Sequence, residues 1–284
     1  MAGGVDYAEC ERLLKEGGRD QWLASLFAPA DKRPHLHVLH AFCHEIERIG
    51  DIVRDPMPGE IRLQWWRDAV SAGGETGGQG HPVADALRET MQRFKLPLQP
   101  FLDLIDAHNF DLYCDPMPDT ATLEGYCGEC FSAPLWLAAL VRAEGAEAGG
   151  ADAAGHAGVT LGLTHILRRF AWDASRGRVY VPGDILARHG VNAADCLSRE
   201  TRPALLAALA DARALARGHL AKARTHLTSA PIAPRSAYLA LALVEPTLRL
   251  TEKPGYDPFR TPLDLPQWRR QWALWRGKQM VALR

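Results

Sequence analysis

Three observations predict an all-α fold for this chain. Apolar residues recur at spacings of three and four through most of its length, which is the helical period. Only one short run, Arg178 to Val181, has β character. No shift in composition divides the 284 residues, so the reading is one domain spanning 1–284 with a helical bundle at its centre.

The elements follow in order. A short helix over 20–27 stops before Pro29. A long helix over 31–54 carries Leu36, Leu39, Phe42, Ile46, Ile49 and Val53 on one face, and Pro56 and Pro58 end it. A helix over 60–71 leads into a glycine-rich loop, 71–82. Of its adjacent tryptophans, Trp65 and Trp66, one is expected in the core and one at the surface. Helices follow over 82–94, 98–110, 119–143 and 152–172, with a flexible connector at 144–156. The last three cover 202–227, 232–249 and 265–277. In the Trp/Arg-rich C-terminal helix (263–284), Trp268, Trp272 and Trp275 fall at i, i+4 and i+7, with Arg269, Arg270, Arg276 and Lys278 to the other sides. The indoles are expected to pack on the bundle and the arginines to be solvated. The alternative is peripheral contact with a membrane or partner through 265–276.

Composition excludes several classes. A net charge of −1 provides no global field for nucleic acid, and no nucleic-acid partner is expected. No apolar run approaches the ~18 residues that suggest a membrane-spanning helix. The opening MAGGVDYAEC has no apolar core and no basic lead-in, so a cytoplasmic location is expected, peripheral to the inner face of a membrane if the tail binds lipid. Six scattered cysteines point to reduced thiols rather than a disulfide framework.

The most informative stretch is LGLTHILRRFAWDASRGRVYVP, residues 161–182, a helix that enters a tight basic turn and leaves extended. Its exit, with Gly177, Arg178, Tyr180 and Pro182, resembles the G-R-x-Y-L-P exit of the second signature of the squalene/phytoene synthase family. The resemblance extends from about Tyr7 to Trp275. It implies an isoprenoid-synthase-type bundle around a central cavity. Two D-x-x-x-D helices face each other there, each with two carboxylates one turn apart. They hold Mg²⁺, which binds prenyl diphosphates and helps the diphosphate leave in head-to-head coupling.

Both signatures are altered. In the first, Glu47 and Asp51 fall on the metal-ligand positions, Arg48 replaces an acid and His44 replaces a diphosphate-binding arginine. In the second, Gly162, His165 and Arg169 stand where the family has Gln, Asn and the first Asp, and only Asp173 is kept. Glu47, Asp51 and Asp173 are therefore read as remnants of Mg²⁺ positions, weak or empty. A cation at ~4 Å costs a second cation about 4 kcal/mol at an effective dielectric near 20. Arg169 is expected to pair with Glu47, Asp51 or Asp173 and plug the former metal position. The alternative is that Arg168 and Arg169, with Arg178, hold a diphosphate without metal. Tyr126 and Cys127 match the family's cavity-lining segment, and Phe131 stands at a small-residue position and narrows it. Tyr126, Arg178 and Tyr180 are thus the retained cavity and diphosphate positions. A transition-metal site on the stripe His40, His44, Glu47 and Asp51 is disfavoured, because ligands strung along one long helix cannot converge on one ion.

RLQWWRDAV (62–70), SRGRVYVPGDILARHGV (175–191) and LPQWRRQWALWR (265–276) resemble the family's mitochondrial complex I assembly-factor branch, whose aspartate motifs are degraded. That resemblance implies a non-catalytic protein that binds a protein of a respiratory complex, with residual affinity for a prenyl lipid or diphosphate. The alternative is an active head-to-head prenyltransferase with an altered Mg²⁺ site. A cavity closed by Phe131, Trp172 and an Arg169 salt bridge would favour the first reading.

Overall fold

The computed structural model describes residues 6–71, 80–146 and 150–282. Most of the expected glycine-rich loop and part of the 144–156 connector lie outside the described residues. Helices α1 (Tyr7–Glu16), α2 (Arg19–Ser25), α3 (Arg33–Ile52), α4 (Pro56–Ser71), α5 (Pro82–Phe94), α6 (Gln99–Ala107), α7 (Phe110–Tyr113) and α8 (Thr120–Cys127) form the N-terminal half. A π-helical turn (Gly128–Ser132) leads directly into α9 (Ala133–Arg142). Then come α10 (Ala151–Ser175), α11 (Gly183–Arg188), α12 (Ala193–Leu197), α13 (Pro203–Ser229), α14 (Ile232–Arg235), α15 (Val244–Leu248) and α16 (Gln267–Ala282).

The all-α expectation holds, with corrections inside it. No strand forms among the described residues. The β-like run 178–181 is extended coil, tied to a neighbouring loop by Met117 N–H to Val179 O and Gly183 N–H to Met117 O, both 2.9 Å. Two bonds onto an irregular segment make no ladder. The predicted helix 98–110 breaks after Ala107 and restarts as α7. The predicted helix 232–249 is a chain of short α-helical and 3₁₀ turns over Ser236–Leu243 and Arg249–Glu252. Pro234 and Pro246 remove amide donors there, and short 3₁₀ turns suit such interrupted segments. Helix α1 is not among the elements the sequence predicts, although Asp6 marks its start by accepting the Ala8 amide at 3.0 Å.

The core is contiguous from Cys10 to Phe259. Helix α3 presents Leu39, Phe42, Ile46 and Ile49 inward, each at most 3% exposed. The Phe42 ring meets Trp66 edge-on at 5.5 Å and Phe101 at 5.6 Å. Trp66 is core and Trp65 is partly exposed, as the sequence suggested. Helix α10 packs most extensively on α13 and also on the π turn, while α9 bridges α3 and α10. The approach to the π turn depends on Gly158, where a methyl group would stand 2.0 Å from Ser132 Oγ. The signature-bearing parts of α3 and α10 thus face each other, and their side chains meet across the gap. No described helix is long and apolar enough to cross a membrane.

Candidate functional site

The C-terminal half of α3 supplies Glu47 and Asp51, and α10 supplies His165, Arg169 and Asp173. Arg169 reaches across. Its Nη2 lies 2.8 Å from both Asp51 carboxylate oxygens and 3.5 Å from Asp173 Oδ1. Arg178 Nη1 adds a contact to Asp51 at 3.2 Å, and its Nη2 donates to the Gly50 carbonyl. Arg176 donates to the Asp51 carbonyl, and Trp172 Nε1 approaches Asp51 Oδ1 at 3.3 Å. Beside this cluster, His165 Nε2 lies 3.1 Å from Glu47.

The charges respond to this geometry. Burial opposes ionisation of Glu47, but the His165 imidazole, Arg169 and His108 outweigh it and hold the carboxyl below its usual range. Burial likewise opposes the Arg169 charge, and Asp173, Asp51 and Glu47 more than restore it. Asp173 goes the other way. Burial pushes its carboxyl up to about 6 despite Arg169, His165 and Arg178. Its Oδ1 has no hydrogen bond, since the 3.5 Å to Arg169 is too long.

These residues do not fit a Mg²⁺ ion. Mg²⁺ requires oxygens at about 2.0–2.1 Å in octahedral array. Here a guanidinium nitrogen stands between Asp51 and Asp173, where an ion shared by the two carboxylates would sit. The Glu47 partner is an imidazole. Among the described residues, no three His, Cys, Asp or Glu side chains form a metal-binding group. The space enclosed by Glu47, Asp51, Asp111, Arg169, Asp173 and Arg178 is about 30 Å³, roughly one water molecule.

A second cluster, around Asp111, has no family motif in the sequence to mark it. Asp111, at the start of α7, is 5% exposed and accepts from Tyr180 at 2.7 Å, Tyr126 at 3.0 Å and His108 Nδ1 at 2.6 Å. Burial works against a charged His108, yet Cys130 and Asp111 beside the ring raise its pKa well above the ordinary value. Burial and the Asp111 charge raise both tyrosines, keeping the phenols protonated as donors. The signal available was His108 three residues before Asp111 in HNFD. The break after Ala107, inside the helix that periodicity predicts over 98–110, turns Asp111 inward.

The central cavity is about 120 Å³ and is lined by Leu36, His40, Cys43, Phe131, Leu135 and Leu161, with Glu47, His108 and His165 at its polar end. That is less than the ~150 Å³ engineered cavity that admits benzene, and far below the ~300–1,000 Å³ of ordinary ligand pockets. Phe131 lines both this cavity and the polar space, its ring 5.5 Å from that of His165. An open cleft of about 630 Å³ adjoins both, sharing Glu47, His165 and, with the polar space, Asp51 and Arg169, and bordered on its outer side by Arg48, Arg168 and Arg270.

The structure therefore brings Glu47, Asp51, Arg169, Asp173, Arg178, Tyr126 and Tyr180 into one region. Arg168 pairs with Asp20 at 2.8 Å rather than with Asp51, and borders the same cleft as Glu47, Asp51 and Arg169. Trp172 does not close the cavity as considered; it is 49% exposed and flanks Asp51 from outside.

A bundle whose two facing signature helices meet over an acidic cluster defines the class as that of the prenyl-diphosphate synthase fold. The chain matches the squalene/phytoene synthase family over residues 14–276 and belongs to that family. It is 29% identical over 263 residues to the bovine (Bos taurus) "NADH dehydrogenase (ubiquinone) complex I, assembly factor 6", covering 92% of this chain and 78% of that protein. It is 30% identical over 288 residues to phytoene synthase of Thermus thermophilus, covering 98% and 94%. In fold, it superposes on a dehydrosqualene synthase solved with a ligand at a TM-score of 0.84, with 20% identity and coverage of 98% and 97%.

Proposed function

We propose that this chain is a non-catalytic squalene/phytoene synthase-family protein that works as an assembly factor, binding a protein of a respiratory complex. The observation that carries the reading is Arg169 bound to Asp51 and flanking Asp173, an internal cation at the position of a catalytic metal. The small apolar cavity of about 120 Å³, narrowed by Phe131, supports it. The similarity to the bovine assembly factor supplies the partner class. The protein acts in the cytoplasm, peripheral to the inner face of a membrane, as one domain over 1–284. Tyr126, Arg178 and Tyr180 serve to hold the Asp51 and Asp111 groups in place, and any lipid or diphosphate affinity is residual.

Two observations favour a second reading, that of an active head-to-head prenyltransferase using Mg²⁺. Asp173 Oδ1 is buried with no hydrogen bond, and the similarity to phytoene synthase runs nearly end to end. Incubation of the purified protein with farnesyl diphosphate and Mg²⁺, followed by lipid extraction, separates the two. The non-catalytic reading expects no condensed C30 product. Turnover above that of an Arg178→Ala control would establish the second.

A further inference from the structure

Helix α16 is anchored on one face only. Leu274 is fully buried in a cluster with Leu23, Leu239, Leu243 and Leu265. Arg270 is 6% exposed and binds Asp20 at 2.6 Å and the Leu265 carbonyl at 2.8 Å. Gly277 lies so close to the 3₁₀ segment that a methyl group there would come within 2.7 Å of Ala242 Cβ. On the other face, Trp268, Trp272 and Trp275 are 63%, 54% and 46% exposed. The expectation that these indoles pack on the bundle is overturned, because Leu274 and Arg270 take the inner face.

At about 100° per residue, the three indoles fall within roughly 60° of one another. Exposed Arg269 and Arg276 border one side of the stripe and exposed Lys278 borders the other. Trp272 and Trp275 stack at 5.1 Å, and the Arg269 guanidinium lies over Trp268 at 5.1 Å. No acidic residue occurs from 265 to 284, although the whole chain carries a net charge of −1. Single exposed apolar residues are ordinary, whereas a contiguous stripe marks an interaction surface.

We infer that this face docks flat on an anionic lipid bilayer, with the three indoles at headgroup level and Arg269, Arg276 and Lys278 on lipid phosphates. Indoles combine an apolar body with a polar N–H and favour the membrane–water boundary. Cations on both sides of the stripe, with no acid among them, match a uniformly negative surface better than a protein patch of alternating sign. The helix is already folded and pinned by Arg270 and Leu274, so docking carries little ordering cost. This inference rests on the peripheral location proposed above and not on the absence of catalysis. Vesicle binding and C30 product formation are read separately, so each can fail alone.

The test uses the full chain with sedimenting vesicles of phosphatidylcholine alone or with one third phosphatidylglycerol. Binding is expected only to the anionic vesicles, with a blue shift of tryptophan emission and weakening at high salt. Trp268→Ala/Trp272→Ala/Trp275→Ala and, separately, Arg269→Glu/Arg276→Glu/Lys278→Glu should each weaken binding at least tenfold. Circular dichroism should match the unaltered protein, because all six side chains are exposed. No vesicle binding, equal binding to neutral vesicles, or binding unchanged in either variant would overturn the inference. Absence of vesicle binding would leave a protein as the occupant of the stripe.

Discussion

Asp111 accepts from an imidazole and two phenols while almost wholly buried. Removing it strands a buried cation and two hydroxyls. Asp111→Ala should therefore cost about 3–5 kcal/mol in urea denaturation; a loss under 1 kcal/mol would show that the cluster is loosely held. Asp173 gives a pH signature. Burial, only partly offset by Arg169, raises its carboxyl from 3.8 to about 6. Between roughly pH 4 and 6 the native state then holds a proton that the unfolded chain has released. Stability falls as pH rises through that window, by at most about 3 kcal/mol. Asp173→Asn lacks this term, so the variant should gain on the unaltered protein between pH 4 and 7. Parallel denaturation curves at both pH values would contradict it. At this scale the sequence was partly legible. Arg169 could be matched with its partners because a lost acid replaced by a cation names its own counter-ions. The Arg168 partner was not legible, because Asp20 sits 148 residues away on α2, a distance that no local pattern reports.

The π turn between α8 and α9 fixes where Cys130 and Phe131 point, and Gly158 on α10 lets that turn approach. Gly158→Ala would bring a methyl group within 2.4 Å of the Ser132 backbone nitrogen. Overpacking against backbone should cost about 1–3 kcal/mol, seen as a lower thermal midpoint; an unchanged midpoint would mean the turn yields freely. The sequence predicted 119–143 as one helix, and in continuity it is. An added residue per turn does not disturb apolar periodicity enough to be read, so the π turn was invisible. The break at α6–α7 was equally hidden, since His108 and Asn109 carry no Pro or Gly to mark it. The C-terminal helix shows the reverse case. Its i, i+4, i+7 indoles were correctly placed on one face, but periodicity does not say which face turns inward. Leu274, buried by the cluster from α2 and the 3₁₀ segment, decides that.

At the scale of the molecule, the all-α bundle and the family were legible from helical periodicity and one intact motif, G-R-x-Y-x-P. What was not legible was the size of the cavity, because that depends on how far α3, α9 and α10 stand apart. The central claim is that a guanidinium occupies the metal position. The direct measurement is calorimetric titration of Mg²⁺ with farnesyl diphosphate into the unaltered protein and into Arg169→Asp/His165→Asn. The account predicts that diphosphate binding is insensitive to Mg²⁺ in the unaltered chain and becomes Mg²⁺-dependent, at least tenfold stronger with the ion, in the double variant. Mg²⁺-dependent binding by the unaltered chain, or no change in the variant under saturating Mg²⁺, would contradict it.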